Sequence, residues 1–595
     1  VVTVPDAPRT VDRLLAEAAA AEPDRAVLTM PDRVLTYGEA EEQAARICGG
    51  LRARGVVPGD RVVLAFGNAD WPGYTAAYFG VLKAGATAFV LSDRVSEAEL
   101  ASVCRQFGVA GVIGSAQRRT PADGSGWWTA TAAGLRESDP VGGSSALPEQ
   151  VAEVQLTSGT TGAPKAVAAT HHNLLFPRGR AFHDVLLHGL PIGTSTSQSI
   201  LVGAVGNRES LVVLPEFTPA ALVAAARRHR ARWVGLVPAM ARWLVRWCET
   251  EPRPVVLPEI TSVACSSAPF PAAAYPVLRC VFPAADFVNT YTSSEALPAR
   301  VRTVFDPDRP HSIGRVIGGC EMRVVDAERA PVVGQPGEIE LRAASVPGRF
   351  YLDDEAATDA VFRDGWVRTG DLGELDDAGY LQIHGRIAET VNVGGFNVSI
   401  RRVEDVLETH PGVAEAAVFA VTHELLGEQV AAAVIPVGAG NTHVVDGEAL
   451  RGFARGQLAA HEVPARIAVI GDFPRTALGK VRKRELAALL AAGETAGGQR
   501  EPGHREARHD PAAQPGAEYG AWARLASIWC EVLQCAEVNA AADFFAAGGS
   551  SLKGVELADK VSKEFGIDVD MVTLYLLPEF SQLAEHVAAL VGEPR

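Results

Sequence analysis

No two cysteines in this chain are spaced C-x-x-C. Cys48, Cys104, Cys248, Cys265, Cys280, Cys320, Cys530 and Cys535 are scattered over 595 residues. That removes zinc ribbons and dithiol redox motifs, and it fits a reducing, cytoplasmic setting. No apolar run reaches the roughly 18 residues that a membrane-spanning helix needs, so no membrane partner is expected. A signal peptide is not expected either. Asp6 and Asp12 lead into Leu14 to Ala21, which reads as a capped amphipathic helix. Positive charge is not in excess, because the net charge is -16. That excludes a nucleic-acid polyanion as partner. The basic run Arg227 to Arg232 reads as a solvated helix end. There is no internal repeat.

What is present is ordinary globular composition, 47% hydrophobic and 21% charged. At ~150 residues per domain the length allows about four compact units. Runs such as Arg61 to Phe66 and Ser210 to Leu214 read as buried strands. Pro219 to Arg228 and Ala239 to Cys248 read as helices. This alternation predicts α/β architecture with largely parallel sheets. Near Gly385 the pattern changes, and Val391 to Leu489 carries its own signals, with strands at Ala416 to Val421 and Gln429 to Pro436. Then GETAGGQREPGHREARHDPAAQPGAE, rich in Gly, Pro, Ala and charge, has almost nothing to bury and reads as a linker. The boundaries are placed at 1–385, 386–490, 491–517 for the linker, and 518–595.

Residues 154–167 read VQLTSGTTGAPKAV. A short apolar strand enters a turn of small residues and ends at Lys165. Gly159 and Gly162 let the backbone approach a ligand. Thr157, Ser158, Thr160 and Thr161 offer hydroxyls, and Lys165 adds charge. The set suits a polyphosphate, although the Walker A spacing is absent. The string resembles the phosphate-binding signature of the adenylate-forming superfamily, which includes acyl-CoA synthetases and the adenylation domains of nonribosomal peptide synthetases.

Further strings match that family in order. YTSSE at 291–295, preceded by Asn289 and Thr290, resembles its Tyr-Gly-x-Thr-Glu motif, with Thr292 and Ser294 substituted. Alone it would read as a Ser/Thr turn with a capping Glu. The resemblance implies that Tyr291 flanks adenine, Ser294 contacts the α-phosphate and Glu295 holds magnesium. TGDLG at 369–373 and Gly385-Arg386 imply that Asp371 and Arg386 hold the ribose hydroxyls, a task that suits a carboxylate with two acceptor oxygens. Ser266-Ser267-Ala268-Pro269 stands where a Gly-Gly-Ala-Pro type is frequent, beside the nucleotide. GGFNVSI at 394–400 resembles the glycine-rich loop of the family's C-terminal lobe. PRTALGKVRKR at 474–484 makes Lys480 the mobile catalytic lysine, which stabilises charge as pyrophosphate leaves. The hinge position, commonly Asp or Lys in the family, is Ala388 here.

Residues 543–552 read DFFAAGGSSL. Leu552, Val555, Ala558, Val561 and Phe565 follow at helical spacing, with Gly566 as a C-cap. A serine there is most often a plain cap. The segment resembles the phosphopantetheine attachment site of carrier proteins, whose Gly-Gly-x-Ser-Leu pattern selects Ser551. The resemblance therefore implies a large α/β N-terminal domain, a small α+β C-terminal lobe and an all-α four-helix carrier domain. It implies ATP, Mg2+ and covalent 4'-phosphopantetheine as cofactors. An acid would become an acyl-AMP, the lobe would rotate, and the tethered thiol, at raised effective concentration, would take the acyl group. A phosphopantetheinyl transferase and downstream enzymes acting on the loaded carrier are the implied partners.

In amino-acid-activating members an aspartate in mid-domain pairs with the substrate ammonium. No Asp or Glu lies between Asp184 and Glu209. An unpaired buried ammonium is costly, so a standard α-amino acid is disfavoured. His188, Thr194, Ser197, Gln198 and Ser266 are the candidate acyl-pocket residues, and they point to a small polar or aryl acid. The alternatives are ligation to free CoA and loading of an α-amino acid.

Overall fold

The computed structural model describes residues 10–93, 95–115, 126–142, 146–157, 165–175, 185–266, 270–310, 312–316, 319–343, 348–387, 390–393, 396–423, 427–437, 446–459, 461–475, 481–496, 520–533, 535, 537–544, 547, 551–567, 569, 573–574, 577 and 579–591. The chain divides into two compact units, Val1–Ile383 and His384–Arg595. The division falls within the strand Leu381–Arg386, two residues before the boundary read from sequence.

In the first unit a seven-stranded sheet is built around Arg61–Phe66, which pairs in parallel with Thr87–Ser92 and Gly111–Gly114. Thr87–Ser92 pairs in turn with Val151–Thr157. Arg61–Phe66 and Thr87–Ser92 read as largely apolar runs because both their faces are covered. The helix Trp71–Lys83 is buried almost all round, the mark of a helix packed inside a core. The Asp70 carboxylate caps it by accepting from Gly73 N, with Pro72 in the first turn. It carries Trp71, Tyr74 and Tyr78 into the largest apolar cluster.

A second sheet is parallel from Ala26–Thr29 through Ser210–Val213, Val185–His188, Trp233–Leu236 and Ser262–Cys265 to Asp286–Tyr291. Beyond Tyr291 it becomes antiparallel. The expectation of largely parallel sheets therefore fails for its second half. Only residues 292–300 separate Tyr291 from the strand Val301–Val304. A parallel crossover needs about a dozen residues or more, so the chain must turn back. Parallel strands place their carboxyl ends on one edge, where ligands of open α/β sheets bind. Thr157, His188, Cys265 and Tyr291 all stand at such ends.

The second unit contains the antiparallel pair Val413–His423 and Gly427–Pro436, with the helix Ile400–Glu408 packed on it around Val403 and Leu407. The helix Lys483–Ala496 continues past the linker start read at 491, because Ala487 to Ala492 is a strong helix former. Farther on, Ala521–Leu533, Ser551–Phe565 and Phe580–Val591 pack around Leu525, Trp529, Phe544, Leu557 and Val561. These are three of the four helices expected, among the described residues. Gly566 ends the second of them at φ 67, and its N–H donates to Ser562 O. That conformation explains the glycine. No helix among the described residues is long and apolar enough to cross a membrane.

Candidate active site

Residues 292–299 leave the strand Asp286–Tyr291 in a turn held by its own hydroxyls. Thr292 Oγ1 donates to Ala299 O at 2.7 Å. Ser293 Oγ accepts from Ala296 N at 3.1 Å, and Arg349 Nε donates to Leu297 O at 3.0 Å. Ser294 and Glu295 are fixed by this turn. Glu295 Oε1 accepts from Tyr351 Oη at 3.0 Å. Lys165 Nζ sits over the Tyr351 ring, 4.7 Å from its centre. Lys165 is also the cross-strand partner of Thr157, so both described ends of the 158–164 segment lie in register. Tyr291 Oη donates to Asp371 Oδ2 at 2.7 Å. The left-handed Gly370, φ 70, makes the bend that turns Asp371. The residues read from sequence as the adenine and ribose contacts thus touch one another.

Behind Ser294 runs a buried polar chain that sequence reasoning missed. Ser294 Oγ lies 2.6 Å from Ser195 Oγ, and Ser195 Oγ donates to Gln155 Oε1. Gln155 Nε2 donates to Glu153 Oε1 at 2.7 Å, and Tyr78 Oη donates to Glu153 Oε2 at 2.9 Å. Burial raises the Glu153 carboxyl above the usual carboxylate range; Arg349, Tyr78, Gln198 and Gln155 act against it. Arg349 is buried too. Burial lowers its guanidinium, while Glu153 and then Glu295 hold it charged. The attraction of Arg349 to Glu153 and, less, to Glu295 offsets part of its desolvation. One signal in the sequence could have found part of this. Glu153 and Gln155 alternate on a strand whose neighbours are apolar, and polar residues there must have partners.

Several residues singled out from sequence have structural partners. Thr194 caps the helix Ser195–Asn207 by accepting from Ser197 N, and Ser197 Oγ donates to Pro191 O at 2.7 Å. Both hydroxyls serve the helix start; Ser195, between them, faces Ser294. Gln198 Oε1 accepts from the Tyr74 hydroxyl at 2.5 Å. Asn289 Oδ1 accepts from Phe270 N at 2.8 Å, so its amide oxygen has a backbone partner. Ser266 follows the strand Ser262–Cys265, half-buried, and Thr290 is half-buried on its own strand. Arg386 is exposed at the end of Leu381–Arg386. Ser551 opens its helix. Ser158, Gly159, Thr160, Thr161, Gly162, Ser267, Ala268, Pro269, Ala388, Gly394, Gly395 and Lys480 lie outside the described residues.

His188 is fully buried. Its Nδ1 accepts from Leu190 N, and its ring meets Trp71 edge-on at 5.5 Å. Burial pushes the imidazole from 6.5 down to about 4. The unfolded chain takes up this proton near pH 6.5 and the folded chain only near 4. Stability is therefore full above that window and falls as pH drops through it, by about 3 kcal/mol at most. The expected result is a melting temperature that falls between pH 7 and pH 5, with a smaller fall in His188→Asn, whose amide oxygen can still accept from Leu190 N. An equal fall in both proteins would exclude His188 as a source.

A hard cation shared with phosphates needs one or two carboxylates and no closed cage. The half-buried Glu295 beside the phosphate-loop strands fits that need. No cluster of three or more His, Cys, Asp or Glu ligands occurs among the described residues. Comparison with known proteins bears on the whole chain. Residues 15–351 match the AMP-binding enzyme family. The chain belongs to the AMP-binding enzymes. Residues 402–480 match the C-terminal domain of the same enzymes, and 523–587 match the phosphopantetheine attachment site.

This AMP-binding enzyme is 29% identical over 511 residues to the medium-chain fatty-acid–CoA ligase of Escherichia coli, covering 78% of this chain and 88% of that one. It is 29% identical over 512 residues to pyochelin synthase PchD of Pseudomonas aeruginosa, covering 79% and 91%. Phosphinothricin tripeptide synthetase PhsC of Streptomyces viridochromogenes matches 98% of this chain at 29% identity, but only 53% of its own length is covered. Among solved structures, ATP-bound MatB of Rhodopseudomonas palustris has a TM-score of 0.70 at 26% identity, covering 81% of this chain and 99% of that one. The AMP complex of O-succinylbenzoate CoA synthetase from Bacillus subtilis shares the fold, with a TM-score of 0.71 at 23% identity over 80% and 97%. The AMP-binding enzyme described here is thus an ATP-using, adenylate-forming ligase fused to a phosphopantetheine carrier domain.

Proposed function

We propose that the enzyme activates a small polar or aryl carboxylic acid and loads it onto the phosphopantetheine of its own Ser551, as a loading module in natural-product biosynthesis. In the first half-reaction a carboxylate oxygen attacks the α-phosphorus of ATP. The bond to the bridging oxygen of pyrophosphate breaks, and acyl-AMP forms. In the second, Ser551 would carry the phosphopantetheine, whose thiol would supply the nucleophile for the acyl group of acyl-AMP, with AMP as the leaving group and the thiol proton going to solvent.

Thr157, Lys165 and the hydroxyls and glycines of 158–162 hold the polyphosphate. Tyr291 flanks adenine, with 267–269 beside it, and Asp371 and Arg386 take the ribose. Magnesium, when bound, neutralises phosphate charge; Glu295 holds it, kept in place by Tyr351. Lys480 stabilises the charge that builds on the α-phosphoryl oxygens. The observation that carries this reading is the contact of Tyr291, at the end of its strand, with Asp371, in a chain that also bears a carrier domain. The resemblance to PhsC over 98% of the chain supports self-loading; the resemblance to CoA ligases keeps transfer to free CoA as the rival.

The test is intact mass. The protein, phosphopantetheinylated by a transferase and CoA, is incubated with ATP, Mg2+ and pooled acids. One acyl group per carrier with matching release of AMP is the expected result. Acyl-CoA in solution over an unloaded carrier would reverse the assignment.

A further inference from the structure

Two of the eight cysteines meet across a helix end. Cys530 lies in the last turn of the helix Ala521–Leu533, and Cys535 follows it. Cys535 N donates to Cys530 O at 3.1 Å. A bond from the sixth residue back to the first closes many helices, and it sets the side chains of those two residues together. A bond of that length leaves their α-carbons at most about 7 Å apart, given ordinary backbone dimensions. Disulfides span about 4.4–6.8 Å between α-carbons. The sulfurs also face each other, because the Cys535 side chain is a hydrogen-bond partner of the Cys530 thiol. The spacing is C-x-x-x-x-C, so the sequence rule for C-x-x-C does not reach this pair. The helix end supplies the proximity that the shorter spacing supplies elsewhere.

The two thiols are unequal. Cys535 is exposed, and Cys530 is half-buried. Burial first, and then the bond to Cys535, push the Cys530 thiol up to about 11, which holds it protonated. Cys535 is therefore the sulfur that meets a reagent from solution. The pair lies between two stretches of the carrier core. Trp529, Val532 and Leu533 pack there from the helix, and Val538 and Phe544 pack there from the segment beyond. The remaining cysteines offer a contrast. Cys48, Cys104, Cys265 and Cys320 are buried, and Cys280 is the other exposed thiol.

We propose that Cys530 and Cys535 are a redox modification site on the carrier domain, closing to a reversible disulfide by exchange with a low-molecular-weight disulfide. The Cys535 sulfur, as thiolate, attacks one sulfur of the small disulfide. That S–S bond breaks, and one small thiolate leaves and takes up a proton. The Cys530 sulfur then attacks the Cys535 sulfur of the mixed disulfide. The second small thiolate leaves with the Cys530 proton. Two electrons pass from the protein to the small disulfide, which departs as two thiols, and excess small thiol reverses both steps. In a reducing setting the pair rests as thiols, and it closes as small disulfide accumulates.

Mass spectrometry tests this. The full-length chain with Ser551→Ala, which carries no pantetheine thiol, is equilibrated in mixtures of reduced and oxidised glutathione. It is then quenched, alkylated and cut with trypsin. One peptide, Leu525–Lys553, holds both cysteines. The expected result is the loss of two hydrogens from that peptide, with neither cysteine alkylated, while Cys280 takes alkyl or glutathione. Half-conversion should need a mixture at least about tenfold less oxidising than the same chain needs in urea, since only the folded chain holds the sulfurs together. Adding Cys530→Ser removes the second step, so glutathione should stay on Cys535. Alkylation of both cysteines at every mixture overturns the proposal. Glutathione retained on Cys535 as fully with Cys530 present as without it overturns it too, because Cys530 then does not resolve the mixed disulfide. Equal half-conversion in folded and unfolded chain would likewise sink it, because the helix end then contributes nothing.

Discussion

Ser551→Ala should end covalent loading completely and leave acid-dependent ATP–pyrophosphate exchange within about twofold of wild type. The two readouts separate because they draw on different parts of the chain. On the proposed roles, exchange draws on the residues around Ser294, Glu295 and Asp371 together with Arg386 and Lys480, and not on Ser551. Loading needs a nucleophile, and alanine cannot carry the phosphodiester. The substitution is mild for the fold. Ser551 opens a helix whose stability rests on Leu557, Ala558 and Val561 in the carrier core, and alanine is the best helix former. The control is Ser550→Ala, which should load normally. If Ser550→Ala abolished loading and Ser551→Ala did not, the attachment residue would be Ser550.

Glu295→Gln should lower kcat/KM for exchange by roughly a hundredfold or more, a magnitude typical of removing one electrostatic contact to a reacting centre. The substituted amide oxygen can still accept from Tyr351, so the turn should persist and melting should change little. What is lost is the charge. A hard cation binds carboxylate far better than amide, so the magnesium concentration for half-maximal exchange should rise. Tyr351→Phe removes one hydrogen bond and leaves the charge; its effect should stay under about tenfold. An equal loss in both variants would mean that the turn, and not the charge, is what Glu295 supplies.

The fold class was legible because strand and helix periodicities are written plainly. Arg61–Phe66 occurs with the ends read from sequence, and Pro219–His229 differs by one residue. The antiparallel half of the second sheet was not legible from periodicity, since only the shortness of 292–300 forces it. Tyr291, Glu295 and Asp371 could be singled out as candidates because turn chemistry and order along the chain coincide, and the structure brings Tyr291 to Asp371. The polar run 194–198 was harder to read. Composition announces hydroxyls, but whether one caps a helix or faces a ligand depends on the hundred-degree step between neighbours, and this divides Ser195 from Thr194 and Ser197. Arg349 and Tyr351 gave no local signal. Their meaning comes from meeting Glu295 across more than fifty residues of chain.

The helix Trp71–Lys83 has a consequence for how such an enzyme changes over generations. It is core structure, yet its Tyr74 and Tyr78 hydroxyls end on Gln198 and Glu153. A mutation that removes the acceptor at either position strands a tyrosine hydroxyl in the interior, and an unsatisfied buried donor costs roughly 1–3 kcal/mol. Its companion, a tyrosine-to-phenylalanine change, is of little use alone and becomes favourable only afterwards. The two members of each pair are therefore epistatic. Lineages that change Gln198 or Glu153 should carry paired substitutions, and an engineer who changes either should change Tyr74 or Tyr78 in the same step.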